Sequence, residues 1–304
     1  MKNNNSKINL FKKTFPDITK SGVSFSQISS MGIGGEVSAL CDVKNMTELC
    51  EVVKFLNEHK IPYFVLGKGS NVVCRDEGYE GVVIRLVGEF CKIKKRENFV
   101  YAGAGVNLFF LGTKLSEFGL GGLEFAYGIP GSVGGAAAMN AGAFGGQMQD
   151  RICWVEVLEN NKIKKYINKN CNFSYRNSIF LHNFCIILRV CFKFFQDDKE
   201  NIVRRQQFFL EKRKQTQPTG FRSAGSVFKR QNDFVPAKAI DELGLKGKTV
   251  GGAMISKIHA GFIVNLGFAT CQDFLNLVSY IQNLVYNKNK QKLELEIFVL
   301  GEKK

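Results

Sequence analysis

The segment GIPGSVGGAAAMNAGAFGG fills positions 128–146, inside a span with no charged residue between Glu124 and Asp150. Seven of its nineteen residues are glycine and five are alanine. A membrane-spanning helix needs about 20 predominantly apolar residues. This stretch has the length without the character: Gly and Ala supply little transfer energy, Pro130 interrupts it, and Asn140, Gln147 and Gln149 are polar. The Gly131/Gly135 and Gly142/Gly146 pairs match small-xxx-small spacing, which matters only within a hydrophobic helix. Membrane insertion is therefore not expected. A surface loop using glycine for positive φ explains single glycines, but not seven of them beside Ala136–Ala138. A backbone stripped of side chains does explain the set. It lets a large ligand approach, and its N–H groups can bind phosphate oxygens or a heteroaromatic edge.

VLGKGSNVV (65–73) has the same character: a strand, a glycine turn, two side-chain donors and a further strand. It fits neither the G-x-x-x-x-G-K-[ST] phosphate loop nor the G-x-G-x-x-G dinucleotide fingerprint. Two such segments about sixty residues apart suggest a dinucleotide lying across both.

A chain of 304 residues is about two domains long. Leu49, Val52, Val53 and Leu56 mark an amphipathic helix. IPYFVL (61–66) reads as a buried strand, with NVVC and GVVIRL as a strand pair after the glycine turn. NFVYAGAG (98–105) reads as a strand and NLFFLGTKLSEF (107–118) as a helix. ICWVEVLENNKIKKYI (152–167) reads as a hairpin turning at ENNK. QDDKEN (196–201) is the best boundary, between a β-like run (184–195) and a charged helix (203–214). Thr270 and Asp273 form a capping box, and KLELEIFVLG alternates like a half-buried strand. The first fifteen residues, with no signal-peptide core, read as a loose, solvated leader.

The net charge of +15 invites a nucleic-acid partner, but the Lys and Arg residues are dispersed and no nucleic-acid motif accompanies them. A small polyphosphate ligand suits the field equally well, so no nucleic-acid partner is expected. Nine cysteines, an odd set without a C-x-x-C pair, read as reduced thiols in a cytoplasmic protein. The three histidines are too scattered for a metal site.

Seven motifs in order make the chain resemble the UDP-N-acetylenolpyruvoylglucosamine reductase family of flavoenzymes. They are SSMGIGG (29–35), VLGKGSNVV, GIPGSVGGAAAMNAGAFG, YRNS (175–178), SAGSVFK (223–229), HAGFIVN (259–265) and LELEIFVLG (293–301), spread from Ser29 to Gly301. The resemblance implies an α+β protein: an FAD-binding domain of the vanillyl-alcohol-oxidase (PCMH) type in two subdomains, then an α+β substrate-binding domain. On this chain these become a leader over 1–28, an FAD domain over 29–196 (subdomains 29–86 and 87–196) and a substrate domain over 202–304. About fifty residues separate Arg176 from Ser226, similar to the shorter family form that lacks an inserted tyrosine loop.

The resemblance implies that NADPH reduces FAD and departs, after which UDP-N-acetylglucosamine enolpyruvate is reduced to UDP-N-acetylmuramate for peptidoglycan. Hydride adds at C3 and a proton at C2, so the developing dianion needs donors. Arg176 matches the family arginine that holds the substrate carboxylate, Ser226 the proton donor and Glu296 the carboxylate that stabilises the intermediate. Glu294, two positions away, is the rival to Glu296 and better fits an exposed strand carboxylate. Tyr175 stacks near the site or is a structural tyrosine. Lys212, Arg213, Gln217 and Lys229 are candidates for the diphosphate, Lys229 also for polarising Ser226, and Arg230-Gln231 departs from the Asn-Pro of many relatives. The expected FAD contacts are Gly67, Lys68, Gly69, Ser70, Asn71, Gly128, Ile129, Pro130, Gly131, Ser132, Gly134, Gly135, Asn140 and Gly142. Gly131, Ser132 and the Gly134/Gly135 pair would lie closest. His259 reads as structural. The rival functions are an FAD oxidase or dehydrogenase of the same fold on another substrate, and a nucleotide-binding module without activity.

Overall fold

The computed structural model describes residues 2–231 and 233–301. The chain divides into two compact units built from interleaved segments. The first comprises residues up to Lys20, Ala39–Lys68 and Gly81–Lys212; the second comprises Ser21–Ser38, Gly69–Glu80 and the chain from Arg213 onward. The sequence-based cut at 196–202 thus falls inside the first unit, and the unit border lies within the helix Lys199–Thr216. Its first turns are fixed in the first unit, where Arg205 pairs with Glu124 and Asp197 and Gln206 donates to the Gly112 carbonyl.

Two sheets organise the first unit. In one, the strands follow the order Thr19–Lys20, Glu36–Val43, Tyr79–Leu86, Tyr63–Val65, the long central pair belonging here from Ala39 and Gly81 on. Tyr63–Val65 runs parallel to Val82–Ile84. The helix Met46–Glu58, capped by the Asn45 side chain, connects Glu36–Val43 to Tyr63–Val65 and buries Leu49, Val52, Val53 and Leu56, the stripe that its spacing requires. The other sheet is antiparallel, in the order Lys162–Ile167, Ile152–Glu159, Cys185–Lys193, Phe99–Gly103, Ile93–Arg96. Its hairpin turns at Asn160 and Asn161, both at positive φ (50° and 57°), as a two-residue turn matched to strand twist demands. A single apolar core, from Ile8 to Phe194, runs through both sheets.

The N-terminal segment is not a loose leader. Lys2–Thr14 is a helix, and Ile8 and Phe11, one turn apart, are buried. Phe11 and Phe15 pack their rings against Phe55 of the helix Met46–Glu58. Two apolar residues at i, i+3 suffice here because a neighbouring aromatic shelf receives them.

The second unit holds an antiparallel sheet in the order Arg222–Ser226, Phe262–Asn265, Ala253–Ile255, Thr249–Val250. The helix Cys271–Asn289 packs on it, opened by the expected Thr270/Asp273 capping box. Asp76, from an earlier segment, also accepts from the Cys271 and Gln272 N–H groups, adding negative charge where the helix dipole favours it. NVVC and GVVIRL do not pair with each other. Val72–Cys74 instead runs parallel to Phe298–Leu300. Within KLELEIFVLG only Phe298–Leu300 is strand; Leu293 and Ile297 are buried as the alternation predicts, and the backbone there bonds to the chain after Ser226. IPYFVL is half-buried at the sheet edge over Tyr63–Val65. Among the described residues no helix is long and apolar enough to cross a membrane.

Candidate active site

The glycine-rich stretch folds as an open loop, a short helix (Val133–Ala138) and a small hairpin (Gly142–Ala143 with Gly146–Gln147). Backbone bonds from Val133 to Val106 and from Gly134 to Ala104 pin it to the chain before the helix Leu108–Glu117. Ser132 caps the short helix, its hydroxyl accepting from the Gly135 N–H. Gly67 faces that hydroxyl: a Cβ at Gly67 would lie 2.5 Å from Ser132 Oγ. The first unit therefore brings part of VLGKGSNVV against the stretch after Gly128, as a ligand bridging both would need. Gly67, Lys68, Pro130 and Gly135 are exposed, and Gly128, Ile129 and Gly131 half-buried.

Two of the expected cofactor contacts are internal instead. Gly134 is buried because Ala104 leaves no room, a Cβ there falling 2.8 Å from the Ala104 Cβ. Asn140 is buried at positive φ. Its amide nitrogen donates to Gln147 Oε1, Gln149 Oε1 and the Ser174 carbonyl, and its oxygen accepts from the Gln149 N–H. It is a clamp within the protein rather than a donor for a cofactor.

That clamp positions the candidate arginine. Ser174 and Asn177 exchange backbone hydrogen bonds around Tyr175-Arg176, and Arg176 has φ 54°. The Asn140 side chain holds one end of this tight turn, and Ser178 Oγ, donating to the Ala138 carbonyl, holds the other. Arg176 Nη2 donates to the Gly142 carbonyl at 3.0 Å, and its guanidinium lies 5.1 Å from the ring of the exposed Tyr175. The Lys212 ammonium stands 5.1 Å from the centroid of Phe144, the hairpin residue two positions on, which stacks on Phe209. Two cations are thus assembled on the glycine hairpin within one unit. Phe144, Phe209, Gln147 and Gln149 were not anticipated, although the two glutamines were the odd polar residues of an otherwise bare stretch.

In the second unit, Ser226 ends the strand Arg222–Ser226, where Gly225 takes φ +85° and a register shift separates Ser223 from Ser226. A bulge of this kind re-aims the next side chain. Glu296 lies on the neighbouring segment: its N–H donates to the Val227 carbonyl, and its own carbonyl accepts from the Asn71 side chain. Ser226 and Glu296 are both half-buried, whereas Glu294 is exposed. Asn71, expected at the cofactor, is therefore also a structural tie, bonded through its carbonyl to Phe298. Gly69 adopts φ +62°, and a Cβ there would meet the Ile28 carbonyl at 2.6 Å; Ser70 follows, half-buried. The Lys229 ammonium lies 3.8 Å from the exposed Glu294 carboxylate.

Arg213 is buried and donates to Gln217 Oε1 at 3.0 Å, so these two candidates bind each other. Burial lowers the Arg213 pKa from its ordinary value. His259 is structural as expected. Burial lowers its pKa, and Nδ1 accepts from the Gly261 N–H.

Comparison with known proteins matches the same regions. The sequence profile of an FAD-binding domain matches residues 37–161, and that of the UDP-N-acetylenolpyruvoylglucosamine reductase C-terminal domain matches residues 217–300. The UDP-N-acetylenolpyruvoylglucosamine reductase of Caldanaerobacter subterraneus subsp. tengcongensis is 40% identical over 276 residues, covering 90% of this chain and 91% of that protein. The chain belongs to the UDP-N-acetylenolpyruvoylglucosamine reductase family. The reductase of Lactobacillus helveticus is 39% identical over 295 residues, covering 95% of this chain and 99% of the other. The crystal structure of the Thermus caldophilus reductase superposes with a TM-score of 0.81 at 37% identity, covering 93% of this chain and 99% of that one. The fold is accordingly α+β, an FAD-binding domain of the PCMH type with the family's C-terminal domain.

Proposed function

We propose that the protein is an NADPH-dependent flavoenzyme that reduces UDP-N-acetylglucosamine enolpyruvate to UDP-N-acetylmuramate, a peptidoglycan precursor, in the cytoplasm. The observation that carries this reading is a cation, Arg176, seated on the glycine hairpin of an FAD-binding domain in a chain of this family. The glycine segments suit FAD because Gly67 faces Ser132 where a single added methyl would collide. Gly67, Lys68, Pro130, Gly131 and Gly135 of the first unit would hold it. When bound and reduced by NADPH, FAD supplies the hydride for C3 of the enolpyruvyl group.

The chain's own residues supply the rest. Arg176 pairs with the substrate carboxylate and stabilises the charge that spreads into it as C2 becomes carbanionic. Its fixed position on a two-residue turn avoids reorganisation during the reaction. Ser226 delivers the proton to C2, and Glu296 stabilises the same enolate-like carbon framework from the adjoining segment. Lys212 and Tyr175 accompany Arg176 as substrate contacts. The nine free thiols support a reducing compartment.

Anaerobic spectroscopy of the purified protein tests the reading. The flavin absorbance should bleach with NADPH and return on addition of UDP-N-acetylglucosamine enolpyruvate. A preparation that does not bind FAD, or one whose reduced flavin ignores that substrate but reacts readily with oxygen, overturns it.

A further inference from the structure

The strands Ile152–Glu159 and Cys185–Lys193 are antiparallel neighbours whose register slips twice, once between Ile152 and Trp154 and once between Glu156 and Val157. Ile152 faces Phe192 and Trp154 faces Cys191, so Cys153 is the extra residue of a bulge. In such a bulge two residues oppose a single partner, here Cys153 and Trp154 opposite Cys191. The two thiols are close enough to influence one another's titration, and Cys191 Sγ points toward the Phe192 carbonyl. Trp154 is the register partner of Cys191 and Cys153 is its immediate chain neighbour, so both cysteines lie at the same bulge.

The thiols differ in access. Cys191 is buried at 1% exposure, whereas Cys153 is half-buried and lines a cavity of about 320 Å³ with Asp150, Arg151, Lys193 and Phe195. Arg151 donates to the Gly122 carbonyl and stacks on Phe195, so its charge is fixed at the cavity. The Asp150 carboxylate is turned to the Gln147 N–H. The cavity thus offers two cations beside a reachable thiol that has a second thiol behind it.

We propose that Cys153 and Cys191 form a redox-active pair that is closed to a disulfide by an anionic low-molecular-weight disulfide entering the Arg151/Lys193 cavity. The Cys153 thiolate attacks one sulfur of the incoming disulfide, forming a mixed disulfide and releasing one small thiol. The Cys191 thiolate then attacks the Cys153 sulfur, closing the protein disulfide and releasing the second small thiol. Two protein thiols are oxidised and one small disulfide is reduced to two thiols, so protons and electrons balance. Burial pushes the Cys191 thiol up to about 12. Burial raises the Cys153 thiol as well, opposed in part by Cys191 and by the Lys193 charge, so it is access rather than acidity that makes Cys153 the entry point.

The holoprotein incubated with oxidised glutathione tests this by thiol titration and peptide mass mapping. Two of the nine thiols should be lost, and the tryptic peptides Ile152–Lys162 and Val190–Lys193 should be recovered as one cross-linked species that a reductant separates. Cys191→Ala should stop at the mixed disulfide on Cys153, and Cys153→Ala should abolish both products. Native protein that keeps all nine thiols, or wild-type protein that retains glutathione on Cys153 without cross-linking, overturns the proposal. The wild-type cross-link decides the matter even if a variant fails to fold.

Discussion

Gly67→Ala tests whether the two glycine segments meet as described. The backbone at Gly67 is not in the left-handed region, so alanine adds only its methyl group. That methyl would stand 2.5 Å from Ser132 Oγ, and ordinary contact begins at 3.4 Å, so something must move by 0.9 Å. The hydroxyl that must yield is the cap of the helix Val133–Ala138, already at 3.3 Å from the Gly135 N–H. Losing the cap costs about 1 kcal/mol and overpacking about 1–3 kcal/mol. The stiffer unfolded chain returns about 0.4–1 kcal/mol, leaving a net loss of about 2 kcal/mol. Ser132→Ala alone should cost about 1 kcal/mol. In the double variant the clash disappears, because the remaining Cβ contact is an ordinary 3.5 Å. It should therefore be more stable than Gly67→Ala, and non-additive by about 3 kcal/mol. Urea titration followed by the fluorescence of Trp154, the single tryptophan, reports the unit concerned. Additive effects, or a Gly67→Ala protein as stable as wild type, would refute the juxtaposition.

Further expectations concern other positions. Asn140→Ala should destabilise the first unit by about 2–4 kcal/mol, since buried partners are left unsatisfied. It should also lower turnover more than FAD affinity, which steady-state kinetics and flavin titration separate. Ser226→Ala should leave flavin reduction by NADPH intact while reoxidation by the enolpyruvyl substrate collapses; stopped-flow traces showing equal loss of both steps would remove its assignment as proton donor. Gly225→Ala, at φ +85°, should cost about 1–2 kcal/mol in urea titration of the second unit. Asp42 is held below its ordinary pKa: burial opposes this, but the hydrogen bonds and charges of Arg85 and Lys20 outweigh it. A depressed carboxylate stabilises the fold above its unfolded pKa of about 3.9, and that stability is lost as pH falls through the folded value. Arg85→Met should accordingly cost about 1 kcal/mol at pH 7, and that cost should shrink only in strongly acidic solution, as pH falls through the depressed Asp42 value, as a series of urea titrations across the acid range will show.

What could be read from the residues was mostly local. The stripe Leu49/Val52/Val53/Leu56, the Asn160-Asn161 turn and the Thr270/Asp273 box each depend on neighbours within a few positions, and all three form. Pairings between distant segments were not visible. Nothing within NVVC indicates that its partner is FVL, more than two hundred residues on. Nor does spacing reveal that Ser21–Ser38 and Gly69–Glu80 pack with the C-terminal half. The N-terminal helix was missed because its own sequence is polar, and its two apolar residues gain their value from a core assembled by distant segments, the ring of Phe55 among them. At the site, residue type suggested that Asn140 and Asn71 face a cofactor. A buried amide with complementary partners is as good a brace as it is a ligand, and only the fold reveals which it is.

The pairing of Val72–Cys74 with Phe298–Leu300 also bears on synthesis. While the chain is being made, the glycine turn ending at Asn71 has no β partner until the ribosome has passed Leu300. The first unit, complete by Lys212, can fold earlier, as upstream parts of a chain generally do. Through that interval Ser21–Ser38 and Gly69–Glu80 must wait exposed, carrying Met31, Ile33 and Val73, which end in the second core. A stalled or shortened chain would therefore be sticky at those two places, and these are the segments a chaperone would be expected to hold.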